Sequence, residues 1–337
     1  MAQTLAASQF KAAIQAAESA AGTPEEKAEM LMEIAMGMQM RPKTPDQLQH
    51  AVALYERALD LCPAEAVLLR ARLRARMGTA LQALPDGGVD ALHRARACYE
   101  EAIPVLKEKG RPEEVAEAEM NLGLVLQSLS SAGAARIQEA IRCYHAALKV
   151  FTRDAYPQEY AILHNNLAIA YLSIPLSDER GKMREALAVQ SFEEVLKVIN
   201  LVDHPTEYAM VQNNLGNALQ YAASGHPLEN NLRALAAYDE ALKVRNARDT
   251  PLEYANTISN KANVLRNLPD ELENPGSGRR ANLLRARELY EEARRIFLSL
   301  NQVGSAAVVE EALAEIEQEL ADQSARRGNG DGRASRL

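Results

Sequence analysis

Apolar residues recur along this chain at spacings of three and four, with Ala and Leu at most of the inward positions. That period marks amphipathic helices throughout, and no stretch alternates in the two-residue period of a strand. The starts are punctuated by proline. Pro24, Pro112, Pro157, Pro205 and Pro251 each precede a small residue by eleven positions: Ala35, Gly123, Ala168, Gly216 and Ala262. Pro63 precedes Gly78 by fifteen, which reads as one extra turn. Proline suits the first helical position because its missing N–H would be unpaired there anyway. Thr23-Pro24-Glu25-Glu26 and Thr250-Pro251-Leu252-Glu253 read as capping boxes.

A second text follows each of these helices. Tyr55, Tyr99, Tyr144, Phe192, Tyr238 and Tyr290 align without gaps, and each lies four residues after an alanine: Ala51, Ala95, Ala140, Ala188, Ala234 and Ala286. That spacing puts the alanine and the ring on one helical face. The chain therefore predicts an all-α fold of six helix pairs. The first helices lie near 24–40, 63–84, 112–129, 157–174, 205–223 and 251–268. The second lie near 46–61, 90–109, 135–152, 182–200, 230–246 and 281–299. The expected divisions are a capping helix within 1–22, an α-solenoid (superhelix) over 23–300, a C-terminal capping helix at 301–320 and a disordered tail at 321–337. Caps are expected because terminal repeats otherwise leave an apolar face bare.

The pattern resembles the tetratricopeptide repeat. Leu167-Ala168 with Tyr171, then Ala188, Phe192 and Val195, then Pro205 stand at that family's signature positions. Two features depart from it. The period is about 45–49 residues rather than 34, with long connections such as IPLSDERGK, ASGHPLEN and PDELENPGSGRR, and the signature Trp is missing. Within the family, Tyr156–Tyr171 and His204–Leu219 look most like the kinesin light chain subtype, including related bacterial repeat proteins. The resemblance implies that paired asparagines line a concave groove and grip an extended peptide.

The matching column is Asn121, Asn166, Asn214 and Asn260, with Asn165 and Asn213 before two of them. Asn217 and Asn263 follow one turn on, and Arg266 shares the face. A side-chain amide both donates and accepts, so it can hold a peptide backbone whatever its side chains. The same residues would serve equally to fix repeat register, and both readings stand. Four net hydrogen bonds give roughly 2–6 kcal/mol, short of the roughly 8 kcal/mol of micromolar binding. Met30–Met40, with five of the ten methionines, reads as packing for the N-terminal cap. Tyr160, Tyr208 and Tyr254 read as cover for the seam between repeats, with hydroxyls at the surface.

Composition narrows the function. Of 337 residues 47% are apolar, but only 4% are aromatic. The formal charge of −8 argues against a nucleic-acid partner. No apolar run is long enough to span a membrane. Cys62, Cys98 and Cys143 are too widely spaced for a disulfide framework or a metal pair, which suits a reducing cytoplasm. No metal spacing, phosphate loop or nucleophile elbow occurs. The expectation is a non-catalytic module without cofactor that binds a protein or peptide partner. The alternatives are an assembly factor for a larger enzyme and a self-associating scaffold.

Overall fold

The structure is a computed structural model that describes residues 10–12, 14–17, 19–40, 42, 44–174, 179–222, 227–269 and 278–334. The described residues from 10 to 19 are helical apart from positions 13 and 18, which are not described. Then follow α1 (Pro24–Met40), α2 (Pro45–Leu61), α3 (Val67–Gln82), α4 (Gly88–Lys109), α5 (Pro112–Ser131), α6 (Ile137–Ala147) and α7 (Pro157–Leu172). After these come α8 (Glu179–Leu196), α9 (Pro205–Tyr221), α10 (Pro227–Leu242), α11 (Pro251–Asn267), α12 (Gly278–Ser299) and α13 (Val303–Ala334). No strand occurs among the described residues. The fold is an all-α helical repeat of the solenoid class, as its hydrophobic period predicts. Residues 1–9, 335–337 and most of the three long connections (175–178, 223–226 and 270–277) lie outside the described residues.

The chain forms two compact units, 1–173 and 174–337. In the first, each helix from α1 to α7 packs on the next, and first helices of successive hairpins touch: α1 on α3, α3 on α5, α5 on α7. The second repeats this from α8 to α13, with α9 touching α11. At the N-terminus, Phe10 stacks on His50 of α2 with ring centroids 4.9 Å apart.

Within each unit the hairpins close on an aromatic ring, and the aligned ring of α8, Phe192, is buried as well. Tyr55, Tyr99, Tyr144, Phe192 and Tyr238 are completely buried. Glycine makes room for three of them. A β-carbon on Gly78 would stand 2.9 Å from the Tyr99 ring, one on Gly123 2.4 Å from Tyr144, and one on Gly216 2.6 Å from Tyr238. The small residue eleven positions after the helix start is thus the seat of the ring.

Three local expectations change. α3 begins at Val67, not Pro63, so the helix gains no extra turn. Ala66, with φ −78° and ψ 54°, breaks the helix, and Val67 stands eleven residues before Gly78, in the register of the other first helices. Thr23 and Glu26 do form a capping box, with bonds of 2.7 and 3.2 Å. Thr250 does not cap α11. Its hydroxyl accepts from the Asn246 N–H at 3.0 Å, because the turn before it competes for the same oxygen. Finally, α13 is helical to Ala334, beyond the expected end at 320. The residues after Leu320 begin Ala-Asp-Gln-Ser-Ala-Arg-Arg, which includes good helix formers.

The ring seats give a direct test. Gly216→Ala should destabilise the protein by about 1–3 kcal/mol through overpacking. Gly37→Ala, where a β-carbon meets nothing within 4 Å, should stabilise it by up to about 1 kcal/mol. Urea unfolding followed by circular dichroism reads both. A Gly216→Ala protein as stable as wild type would mean that the ring is not seated there.

Candidate functional site

The seated tyrosines carry hydroxyls that burial would leave unpaired, and the first helix supplies their partners. The Tyr55 hydroxyl donates to Gln39 Oε1 at 2.9 Å, and that of Tyr144 donates to Gln127 Oε1 at 2.8 Å. Tyr99 shares a 2.9 Å bond with the Thr79 hydroxyl. Tyr238 donates to Asn217 Oδ1 at 2.7 Å and stands 3.3 Å from Gln220 Oε1. These acceptors lie one or four residues after the small residue. The aligned ring of α8 is Phe192, which has no hydroxyl, and the aligned positions of α7 hold Ile169 and Leu172. Burial pushes the phenols of Tyr55, Tyr99, Tyr144 and Tyr238 well above the ordinary range. Asn217 is therefore engaged inside its own hairpin.

Successive first helices are joined by polar pairs. In the first unit Arg72 of α3 makes a bidentate bond to Glu114 of α5, at 2.8 and 3.2 Å, and Arg76 reaches Glu117 at 2.9 Å. Burial raises the Glu114 pKa, but bonds from Arg72 and the Arg111 N–H outweigh it and hold the carboxyl below its usual value. That pair is intact at neutral pH and is lost only as pH falls through the lowered value. In the second unit Asn260 Nδ2 donates to Asn213 Oδ1 at 3.4 Å, joining α11 to α9. The aligned column sets Asn214 against Asn260, whereas the contact is made by Asn213, one residue earlier.

The remaining column residues are not held in this way. Asn121, Asn165, Asn166, Asn214 and Asn263 have no side-chain hydrogen-bond partner among the described residues. Asn166 is 9% exposed, and Asn165 Oδ1 is buried and unpaired. Arg266 forms an ion pair with Glu315 of α13.

The two units differ in the space beside these residues. Next to Asn121 a recess of only about 30 Å³ is lined by Arg72, Arg76, Tyr99, Glu114 and Glu117. In the second unit a recess of about 340 Å³ opens over Asn260, Asn263 and Arg266, between Tyr221, Tyr290 and α13. Its far wall is Val308, Glu311, Ala312 and Glu315 of α13. The buried residues of that helix, Ala306, Val309, Leu313 and Ile316, repeat the spacing of Ala255, Ile258, Ala262 and Leu265 in α11. The cap thus has the apolar spacing of a first helix. Leu313 stands where α11 has the small residue Ala262.

Sequence reasoning missed several of these parts. Tyr208 and Tyr254 do not leave their hydroxyls free at the surface. They donate to Glu240 at 2.9 Å and Glu292 at 3.1 Å on the second helix of their own hairpin. The two glutamates stand two residues after the seated ring, and this recurrence was the available signal. The turns before α9 and α11 share Asn-x-x-Asp-x-Pro. In them Asn200 Oδ1 accepts from the Val202 and Asp203 N–H groups, and Asn246 Oδ1 from those of Arg248 and Asp249. The Arg–Glu pairs of the first unit gave no repeating text.

Among the described residues no group of three His, Cys, Asp or Glu could hold a metal ion. No helix there is long and apolar enough to cross a membrane. The three cysteines are free thiols.

No protein-family profile and no curated protein matches this sequence. Among solved structures, the crystal structure of BtubC (BKLC) from P. vanneervenii is similar, with a TM-score of 0.52 and 18% identity. The match covers 75% of this chain and 92% of that one. The Rap protein complexed with Competence and Sporulation Factor aligns over 94% of this chain and 81% of that one, with a TM-score of 0.38 and 13% identity. The likeness to BtubC is one of fold.

The hydroxyl partners separate structural from free tyrosines. Tyr238→Phe should cost about 0.5–1.5 kcal/mol, since Asn217 loses its donor. Tyr290→Phe, whose hydroxyl has no partner among the described residues, should leave the melting temperature unchanged. Equal losses in both variants would contradict this division.

Proposed function

We propose that the protein is a non-catalytic interaction module that holds an extended segment of a partner protein against its first helices. The observation that carries this reading is the set of amides without internal partners: Asn121, Asn166, Asn214 and Asn263. Register alone would leave them bonded to a neighbouring helix, as Asn213 and Asn260 are. Asparagine is only a modest helix former, and a polar group half-withdrawn from water gains by finding a partner. A bound backbone supplies both an N–H and a C=O to each amide.

The helical-repeat fold supports the same reading. A stack of packed hairpins presents its side chains preformed, so little ordering entropy is lost on binding. The second unit is the better candidate, because space opens beside Asn260 and Asn263. In the first unit the corresponding charges are already joined in Arg–Glu pairs. The free thiols suit a reducing compartment such as the cytoplasm.

The test is a selection of random dodecapeptides on the immobilised full chain. Peptides enriched on wild type should bind Asn214→Ala/Asn263→Ala roughly tenfold or more weakly, for the loss of two hydrogen bonds. The melting temperature of that variant should be kept. Asn213→Ala, which strips Asn260 of its acceptor, should instead lower stability. Unchanged binding by the double variant would show that the amides are not the site.

A further inference from the structure

Tyr290 stands apart from the other seated tyrosines. Its side chain is 4% exposed, yet its hydroxyl has no hydrogen-bond partner among the described residues. At the two positions that supply acceptors elsewhere, α11 carries Asn263 and Arg266. Arg266 is drawn away to Glu315. The phenol thus has no protein partner among the described residues and lines the recess of about 340 Å³, open to whatever enters it.

The charge around it is unbalanced. Glu311 lines the same recess, is exposed and has no partner among the described residues. Glu315 is neutralised by Arg266, so one carboxylate is left over. At the rim, Tyr221 at the end of α9 is 65% exposed and offers a ring face to which a cation is attracted.

We propose that this recess receives the basic side chain, Lys or Arg, of a bound peptide. Glu311 is the counter-ion, and the Tyr290 hydroxyl and the Asn263 amide oxygen accept hydrogen bonds from the cation. The assignment rests on the peptide-binding reading above and gives that peptide one required residue. An acidic side chain would meet Glu311. An apolar one would cover the Tyr290 hydroxyl and leave it unpaired, which is costly. The recess beside Asn121 fits no such group: it is about 30 Å³, and its carboxylates Glu114 and Glu117 are already paired.

The same random-dodecapeptide selection on the full chain decides it. Enriched peptides should carry Lys or Arg at one fixed position. Replacing that residue by Gln in a synthetic peptide should weaken binding about tenfold. Glu311→Lys should exchange the preference for Asp or Glu at the same position. Glu317→Lys, an equal charge change on α13 that does not line the recess, should leave the preference alone. Tyr290→Phe should weaken binding several-fold at an unchanged melting temperature. Enriched peptides without a fixed basic position, or a basic preference that Glu311→Lys leaves intact, would overturn the cation site and leave peptide binding standing. Failure to enrich any peptide would overturn both.

Discussion

The contact on which the rest depends is an aromatic ring of the second helix lying on a residue without a large side chain in the first. Gly78, Gly123 and Gly216 let Tyr99, Tyr144 and Tyr238 approach closer than a β-carbon would permit. That approach buries the phenol completely, so its hydroxyl needs a partner on the first helix. Gln39, Thr79, Gln127 and Asn217 supply one. One close approach therefore dictates two sequence positions: a small residue, and a polar one a single residue or a full turn later.

This constraint also divides the polar residues of the first helices into classes. Asn217 serves the ring inside a hairpin. Asn213 with Asn260, and Arg72 and Arg76 with Glu114 and Glu117, join one hairpin to the next. Asn121, Asn166, Asn214 and Asn263 serve neither purpose among the described residues. The helix α13 takes the apolar spacing of a first helix while presenting the carboxylates Glu311 and Glu315 beside the recess.

The all-α class, the proline starts other than Pro63 and the ring positions were legible in the sequence because each depends on spacing within one helix. Pro205, Gly216 and Tyr238 stand at distances that recur, and recurrence is visible without a structure. Contacts between helices were not legible in the same way. Alignment placed Asn214 against Asn260, but the bond goes to Asn213, a pairing that spacing within one helix does not determine. Thr250 read as a cap until Asn246 claimed its hydroxyl through a turn four residues away. The recess was invisible because Glu311 and Tyr290 come from helices read only as cap and core. Nothing local announces that their side chains share a space.

If the unpaired amides exist for a ligand and the paired ones hold the fold, a bound peptide touches the first set and leaves the second alone. Side-chain amide resonances of the asparagines, recorded as a selected peptide is titrated into the full chain, test it most directly. Shifts are expected at Asn214 and Asn263, with Asn200 and Asn246 of the turns unmoved. Saturable binding that shifts neither Asn214 nor Asn263 would contradict it.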